Sequence, residues 1–197
     1  MSDPMRISPN YDVGHWNRLT FSEEGDWQKA VDIFADRIDG RFLKVVAMIK
    51  DYEYAGFAVM ALDCLLIETL QQFREGKAET PRRKSEEYFV RFLTNTPFGD
   101  SFTKESAIVF YKQIRCGILH QAETKKSSKV LIRQDTPLVE PTADGRGLII
   151  NRALFHRKLV RVFEQYESSL RDPAQAELRS NLRKKMDHIC RTRPGEP

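Results

Sequence analysis

Residues 54–73 read Tyr54-Ala-Gly-Phe-Ala-Val-Met-Ala-Leu-Asp-Cys-Leu-Leu-Ile-Glu-Thr-Leu-Gln-Gln-Phe73, the most apolar stretch of the chain. Phe57, Val59, Met60, Leu62, Leu65, Leu66, Ile67, Leu70 and Phe73 fall all round a helical wheel rather than along one stripe. A helix that is apolar on every side belongs at the centre of a bundle, so this segment sets the fold class as mainly α. Asp63 and Glu68 interrupt it. A carboxylate in such surroundings needs a partner; Arg115 or His120 can supply one, and so can an arginine of a neighbouring helix such as Arg37 or Arg91. The uninterrupted apolar run, residues 55–62, stops at Asp63, short of the ~20 residues that a bilayer crossing needs.

Helical periodicity continues on both sides. Trp27, Val31, Phe34, Ile38, Phe42, Val45 and Ile49 recur at spacings of three and four, an amphipathic helix with Asp26 as its expected N-cap and Gly40 as a point where it bends or splits. Residues 1–24 read as an irregular segment and 25–197 as one helical domain. A shorter helix over residues 86–93 turns Phe89 and Phe92 inward. The next is expected from Thr103 to His120, with Ala107, Phe110, Tyr111, Ile114 and Ile118 as its buried stripe. The helical pattern then breaks. Val130-Leu-Ile132 and Leu148-Ile-Ile150 flank Pro137, Pro141 and Asp144-Gly145, which predicts a small β-hairpin around residues 130–150, with Leu138-Val139 as a third short strand. Asn151 caps a further helix carrying Phe155, Leu159, Val162, Tyr166 and Leu170. Asp172-Pro173 starts the last one, with proline at its first position.

The composition is 41% hydrophobic and 30% charged over 197 residues, which is globular rather than disordered. Cys64, Cys116 and Cys190 are far apart and odd in number, no disulfide framework, and suit a reducing cytoplasmic setting. The first ten residues carry no apolar core of a secretory leader. The net charge of +4 is mild, but its late clusters, residues 125–133, 146–161 and 179–193, are of the kind that neutralise phosphates or simply form a solvated face. Gly-rich phosphate loops, Gly-x-Ser-x-Gly elbows and His-Glu-x-x-His are absent from the sequence, against nucleotide hydrolases, serine hydrolases and zincins.

The pattern Arg-x4-His occurs twice, as Arg115…His120 and Arg183…His188. The second lies in a basic C-terminal stretch, where a solvated face accounts for it. The first interrupts an apolar helix, Ile-Arg-Cys-Gly-Ile-Leu-His, where a charge and an imidazole need a reason to be. Five residues turn a helix by about 140°, so the two side chains converge best across a seam with another helix or a second copy. Gly117 between them allows another backbone to approach.

The segment Phe110-Tyr-Lys-Gln-Ile-Arg-Cys-Gly-Ile-Leu-His-Gln-Ala-Glu-Thr124 resembles the Arg-x4-His helix of the HEPN superfamily, small all-helical bundles of toxin–antitoxin, antiviral defence and RNA-processing proteins. The resemblance implies a cytoplasmic, metal-independent endoribonuclease that needs no cofactor and works as a homodimer. RNA is then the substrate, and an antitoxin or regulatory protein a further partner. Arg115 and His120 take the catalytic roles. The chemistry is coherent, since RNA carries its own nucleophile in the 2′-hydroxyl. An imidazole exchanges protons near neutral pH, and a guanidinium offers a fixed fork of donors for phosphorane oxygens.

One position departs from the family's pattern. Active members commonly carry Asn, Asp or His after the arginine, where this chain has Cys116. A catalytically silent HEPN module for dimerisation or RNA binding therefore stays open, as does a helical scaffold that binds another protein. Cys116 and His120 share a helix face, as a thiol–imidazole dyad or half a zinc site would. The negative helix end opposes a thiolate there and no Cys-x2-Cys pair completes a zinc set, so Cys116 reads as a packing or supporting residue. Asp63 and Glu68 are candidate supports for the pair. Lys125, Lys126 and Lys129 follow the motif and are candidate holders of flanking phosphates, or an ordinary solvated loop.

Overall fold

The computed structural model of the chain describes residues 5–133 and 136–191. Residues 1–4, which open the segment expected to be irregular, and Arg193 of the basic C-terminal stretch lie outside the described residues. The fold is mostly helical with one small sheet. Two compact units are present: Met1–Val45, Gln72–Glu79 and Glu164–Pro197 form one, and Val46–Gln71 with Thr80–Phe163 the other.

In the first unit a short helix, α1 (Val13–Asn17), stands inside the stretch expected to be irregular. Asp12 makes it: its carboxylate accepts from the His15 backbone N–H, the His15 ring nitrogen accepts from the Asp12 backbone N–H, and Val13 and Trp16 are buried. Helix α2 (Glu24–Ile38) begins two residues before Asp26, so Asp26 is not its N-cap. Its carboxylate instead gathers the Thr20 and Phe21 backbone N–H groups and the Thr20 hydroxyl. An acid in the first turn is favoured by the helix dipole whether or not it caps, which is why the sequence alone did not separate the two.

The expected break at Gly40 is a π-turn, Asp39–Leu43, leading to α3 (Lys44–Ile49). The Pro9 ring packs so closely on Gly40 that a Cβ there would collide with it. Phe34 meets the rings of Phe73 and Tyr166 at 4.6 and 5.8 Å. The last helix, α9 (Ala176–Arg191), starts three residues after Pro173 rather than at it, because Asp172 caps a separate turn by accepting from the Ala174 N–H. Its basic residues divide. Arg183 and His188 are exposed, whereas Arg179 is buried and forks onto Glu24 at 2.6 and 2.7 Å.

The second unit is built on residues 56–71 of helix α4 (Gly56–Glu75), most of the stretch quoted first. Val59, Met60, Cys64, Leu66, Ile67 and Leu70 of this helix are buried. Among the described residues it is the one helix long and apolar enough, by length and composition, to cross a membrane, although half of its most apolar window is buried in the protein. The helix runs on past Asp63, so the whole element is longer than the uninterrupted run of residues 55–62. Helix α5 (Ser85–Asn95), a 3-10 turn (Pro97–Asp100) and α6 (Lys104–Val109) follow. Phe155 of α8 (Arg152–Arg171) lies 4.9 Å from Phe98 of the 3-10 turn and stacks at 5.1 Å on Phe110, the residue after α6.

The expected hairpin is a three-stranded sheet with a different connection. Strands β1 (Lys129–Leu131), β2 (Val139–Pro141) and β3 (Leu148–Asn151) lie in the order β1-β3-β2. The two strands expected to pair as a hairpin, β1 and β3, are parallel, with Val130 opposite Ile150. The antiparallel pair is β2 and β3, joined through Asp144-Gly145 with Gly145 at positive φ. Alternation and turn residues locate strands, but they carry no information on which edge the first strand takes.

Candidate functional site

Thr103 and Ser106 form a reciprocal capping box at the start of α6. After Val109 the helix widens into a π-turn, Phe110–Arg115, and returns to α-geometry in α7 (Cys116–Gln121). The expected helix over residues 103–120 is thus continuous but holds a bulge whose last residue is Arg115. π-bulges frequently accompany functional sites.

Gln113, in the same turn, is a tether. Its side chain accepts from the Ser128 hydroxyl at 2.7 Å and donates to the Arg146 carbonyl at 2.9 Å, while its own carbonyl accepts from the Lys125 N–H. One buried amide thus fixes the loop after the motif and the sheet beyond it. Helix α7 ends at Ala122 in the left-handed conformation, and the chain folds back over Gly117. A Cβ on Gly117 would meet the Glu123 carbonyl oxygen, the Thr124 Cα at 3.2 Å and the Lys125 nitrogen at 3.3 Å. The close backbone approach expected at Gly117 is made by this chain's own loop.

Arg115 reaches α4. Its Nη2 donates to Glu68 Oε2 at 2.9 Å, and the Ser85 hydroxyl donates to the other Glu68 oxygen at 2.7 Å. The guanidinium carbon lies 5.7 Å from the Phe89 ring centroid and 5.4 Å from that of Tyr111, within cation–π range. Both side chains of the ion pair are largely covered, with 15% and 16% exposure. Burial alone raises the Glu68 carboxyl, but the bonds from Ser85, Thr80 and Arg115 outweigh it and hold the group below its ordinary range. Burial likewise opposes the charge on Arg115, and Glu68 more than offsets it. The Arg115 Nε is buried with no partner.

His120 stands in the last turn of α7 and is exposed. Among the described residues no hydrogen bond or ion pair joins it to Arg115. Cys116 is half-buried at the start of α7. Lys125 is half-buried, and Lys126 and Lys129 are exposed. Lys126 lines a cavity of about 440 Å³ with Ser127 and Arg146. The other Arg-x4-His pair is laid on a surface: Arg183 covers the Phe21 ring at 4.3 Å and lies 3.8 Å from Asp187.

Of the two candidate supports in α4, Glu68 takes Arg115, and Asp63 takes His156, which the sequence pattern does not mark. His156 Nδ1 lies 2.8 Å from Asp63 Oδ1. Asp63 is 1% exposed, its second oxygen is buried without a partner, and burial pushes its carboxyl up against the opposing pull of His156. The need of Asp63 for a partner was visible in the apolar surroundings of residue 63. His156 carries no such mark, because in the positively charged stretch of residues 146–161 one imidazole next to Phe155 has no distinguishing pattern.

No protein-family model matches this chain, and no curated protein or solved structure matches it either.

Proposed function

We propose that the protein is a metal-independent endoribonuclease of HEPN type, with Arg115 and His120 as its reacting pair, working as a homodimer on RNA in a toxin or antiviral defence role. The observation that carries this reading is the contrast between the two residues. Arg115 is clamped by Glu68 and flanked by two rings, whereas His120, on the next helical turns, is exposed and free of partners among the described residues. A phosphate-binding group gains from being held rigid. A proton acceptor must be accessible to its substrate.

A guanidinium has five N–H donors, and the bond to Glu68 engages one of them. With Nε buried, the remaining Nη donors can meet a phosphate. In the reaction the 2′-oxygen attacks phosphorus and its proton passes to the His120 imidazole. The bond from phosphorus to the 5′-oxygen breaks, and that oxygen leaves as a hydroxyl, protonated by an imidazolium of a second copy or by water. The products are a 2′,3′-cyclic phosphate and a 5′-hydroxyl. Lys126 and Lys129, exposed just after the motif, supply flanking phosphate contacts.

The test is cleavage of end-labelled RNA in excess EDTA by the full chain and by Arg115→Ala and His120→Ala. Cleavage leaving cyclic phosphate ends, lost in both variants, supports the reading. Cleavage that survives both substitutions refutes it.

A second reading rests on the Glu68–Arg115 bond itself. A carboxylate already matched to the arginine weakens its claim on a phosphate, as in a catalytically silent module that binds RNA through its lysines. RNA binding without cleavage by a folded wild type would select it.

A further inference from the structure

The second unit contains a cavity of about 420 Å³ that shares no lining residue with the Arg115–Glu68 pair. Its polar wall comes largely from one face of α8, where Arg152, His156 and Arg157 recur at helical spacing, and Lys50 faces them from the segment after α3. Val59 and Val160 supply apolar wall, and among the described residues Asp51 is the one carboxylate that lines it.

Two observations point to an anion. Arg152 is 7% exposed, yet it makes no hydrogen bond or ion pair among the described residues. A guanidinium on a largely covered side chain, with no carboxylate of its own, is well placed to gain from an anion. His156 provides the second. Asp63 holds its Nδ1, so the ring is fixed in orientation and Nε2 is the nitrogen left for a ligand lining the cavity. A histidine oriented by a buried carboxylate is a recurring way of presenting the other ring nitrogen to a substrate or ion. Arg152 is also the first residue of a twenty-residue helix, where the dipole adds positive potential.

We infer that this cavity binds a phosphate monoester of mononucleotide size. Arg152 and Arg157 grip the phosphate, Nε2 of His156 bonds to it, and Lys50 closes the cationic rim. The net excess of cations over Asp51 fits a doubly charged group better than a single carboxylate. The apolar walls take the organic body, and the volume falls in the range of small-molecule sites. Binding here is independent of the proposed RNA cleavage and is read without it.

The experiment is calorimetric titration of the full chain with AMP, inorganic phosphate and adenosine, in EDTA. AMP should bind more tightly than either of its parts. Arg152→Gln should weaken it at least tenfold, and Arg157→Ala, an exposed position, several-fold with the helical circular dichroism unchanged. If Arg152→Gln does not fold, the double variant Lys50→Ala/Arg157→Ala decides by the same tenfold criterion. Absence of AMP binding, adenosine binding as tightly as AMP, inorganic phosphate binding as tightly as AMP, or AMP affinity unchanged in the folded variants each overturns the inference.

Discussion

Glu68 Oε2 and Arg115 Nη2, 47 residues apart in sequence, meet at 2.9 Å under a layer formed by Phe89 and Tyr111. The central apolar helix thereby fixes the arginine of the motif. Removing either partner leaves the other charge poorly solvated, so Glu68→Ala and Arg115→Ala should each cost about 1–3 kcal/mol, between the values for surface and fully buried pairs. A double-mutant cycle in urea should give a coupling of at least ~1 kcal/mol. Strict additivity of the two losses would mean that the bond does not hold the arginine.

His120 behaves differently. Being exposed and unpartnered among the described residues, it should tolerate replacement by alanine within about 0.5 kcal/mol while RNA cleavage disappears. Arg183→Ala and His188→Ala, in the other copy of the pattern, should leave cleavage intact. Loss of cleavage in those two with retention in His120→Ala would assign the chemistry to the wrong pair.

Gly117 packs against backbone, which cannot swing aside as a side chain does. Gly117→Ala should destabilise the chain by about 1–3 kcal/mol, lowering Tm by a few degrees per kcal/mol for a chain of this length. Protection of the 123–128 amides against hydrogen exchange should fall with it. An unchanged Tm would show that the loop gives way freely.

The pair of Glu24 and Arg179 predicts acid sensitivity in the first unit. Arg179 and then Gln28 hydrogen-bond the Glu24 carboxylate and lower its pKa from 4.5 to about 2. Because the folded value is depressed, the contribution is fully present above 4.5 and is lost as the pH falls through about 2. Glu24→Gln should therefore flatten stability against pH in that window and leave the slope above pH 5 unaltered. A slope unchanged between pH 2 and 4.5 would count against the pairing.

What could be read in advance follows from where the information lies. The helix through Trp27, Phe34 and Ile38 and the central helix are written in local periodicity, and both formed. The same holds for the strands around Val130 and Ile150. The parallel pairing of those two strands was not legible, because alternation says nothing of direction or order. Asp63 and Glu68 were visible as acids needing partners, and Arg115 was among those offered for the role. His156 lies 93 residues from Asp63, and no local pattern joins them. Asp26 shows a further limit: the same residue type serves a cap and a first turn, and only the neighbouring Thr20 decides which.

The π-turns at Asp39–Leu43 and Phe110–Arg115 have a consequence for how this chain can change. Each is a helix carrying a spare residue. Deleting one residue between Phe110 and Ile114 would let the ladder close in ordinary α-geometry, without breaking the helix. Because the turn itself absorbs that residue, the turns before and after it would keep their facing, and the change would fall on the turn's own side chains, the tether at Gln113 among them. The tether of the loop and sheet is thus carried on a single-residue insertion, and a lineage could gain or lose it in one codon.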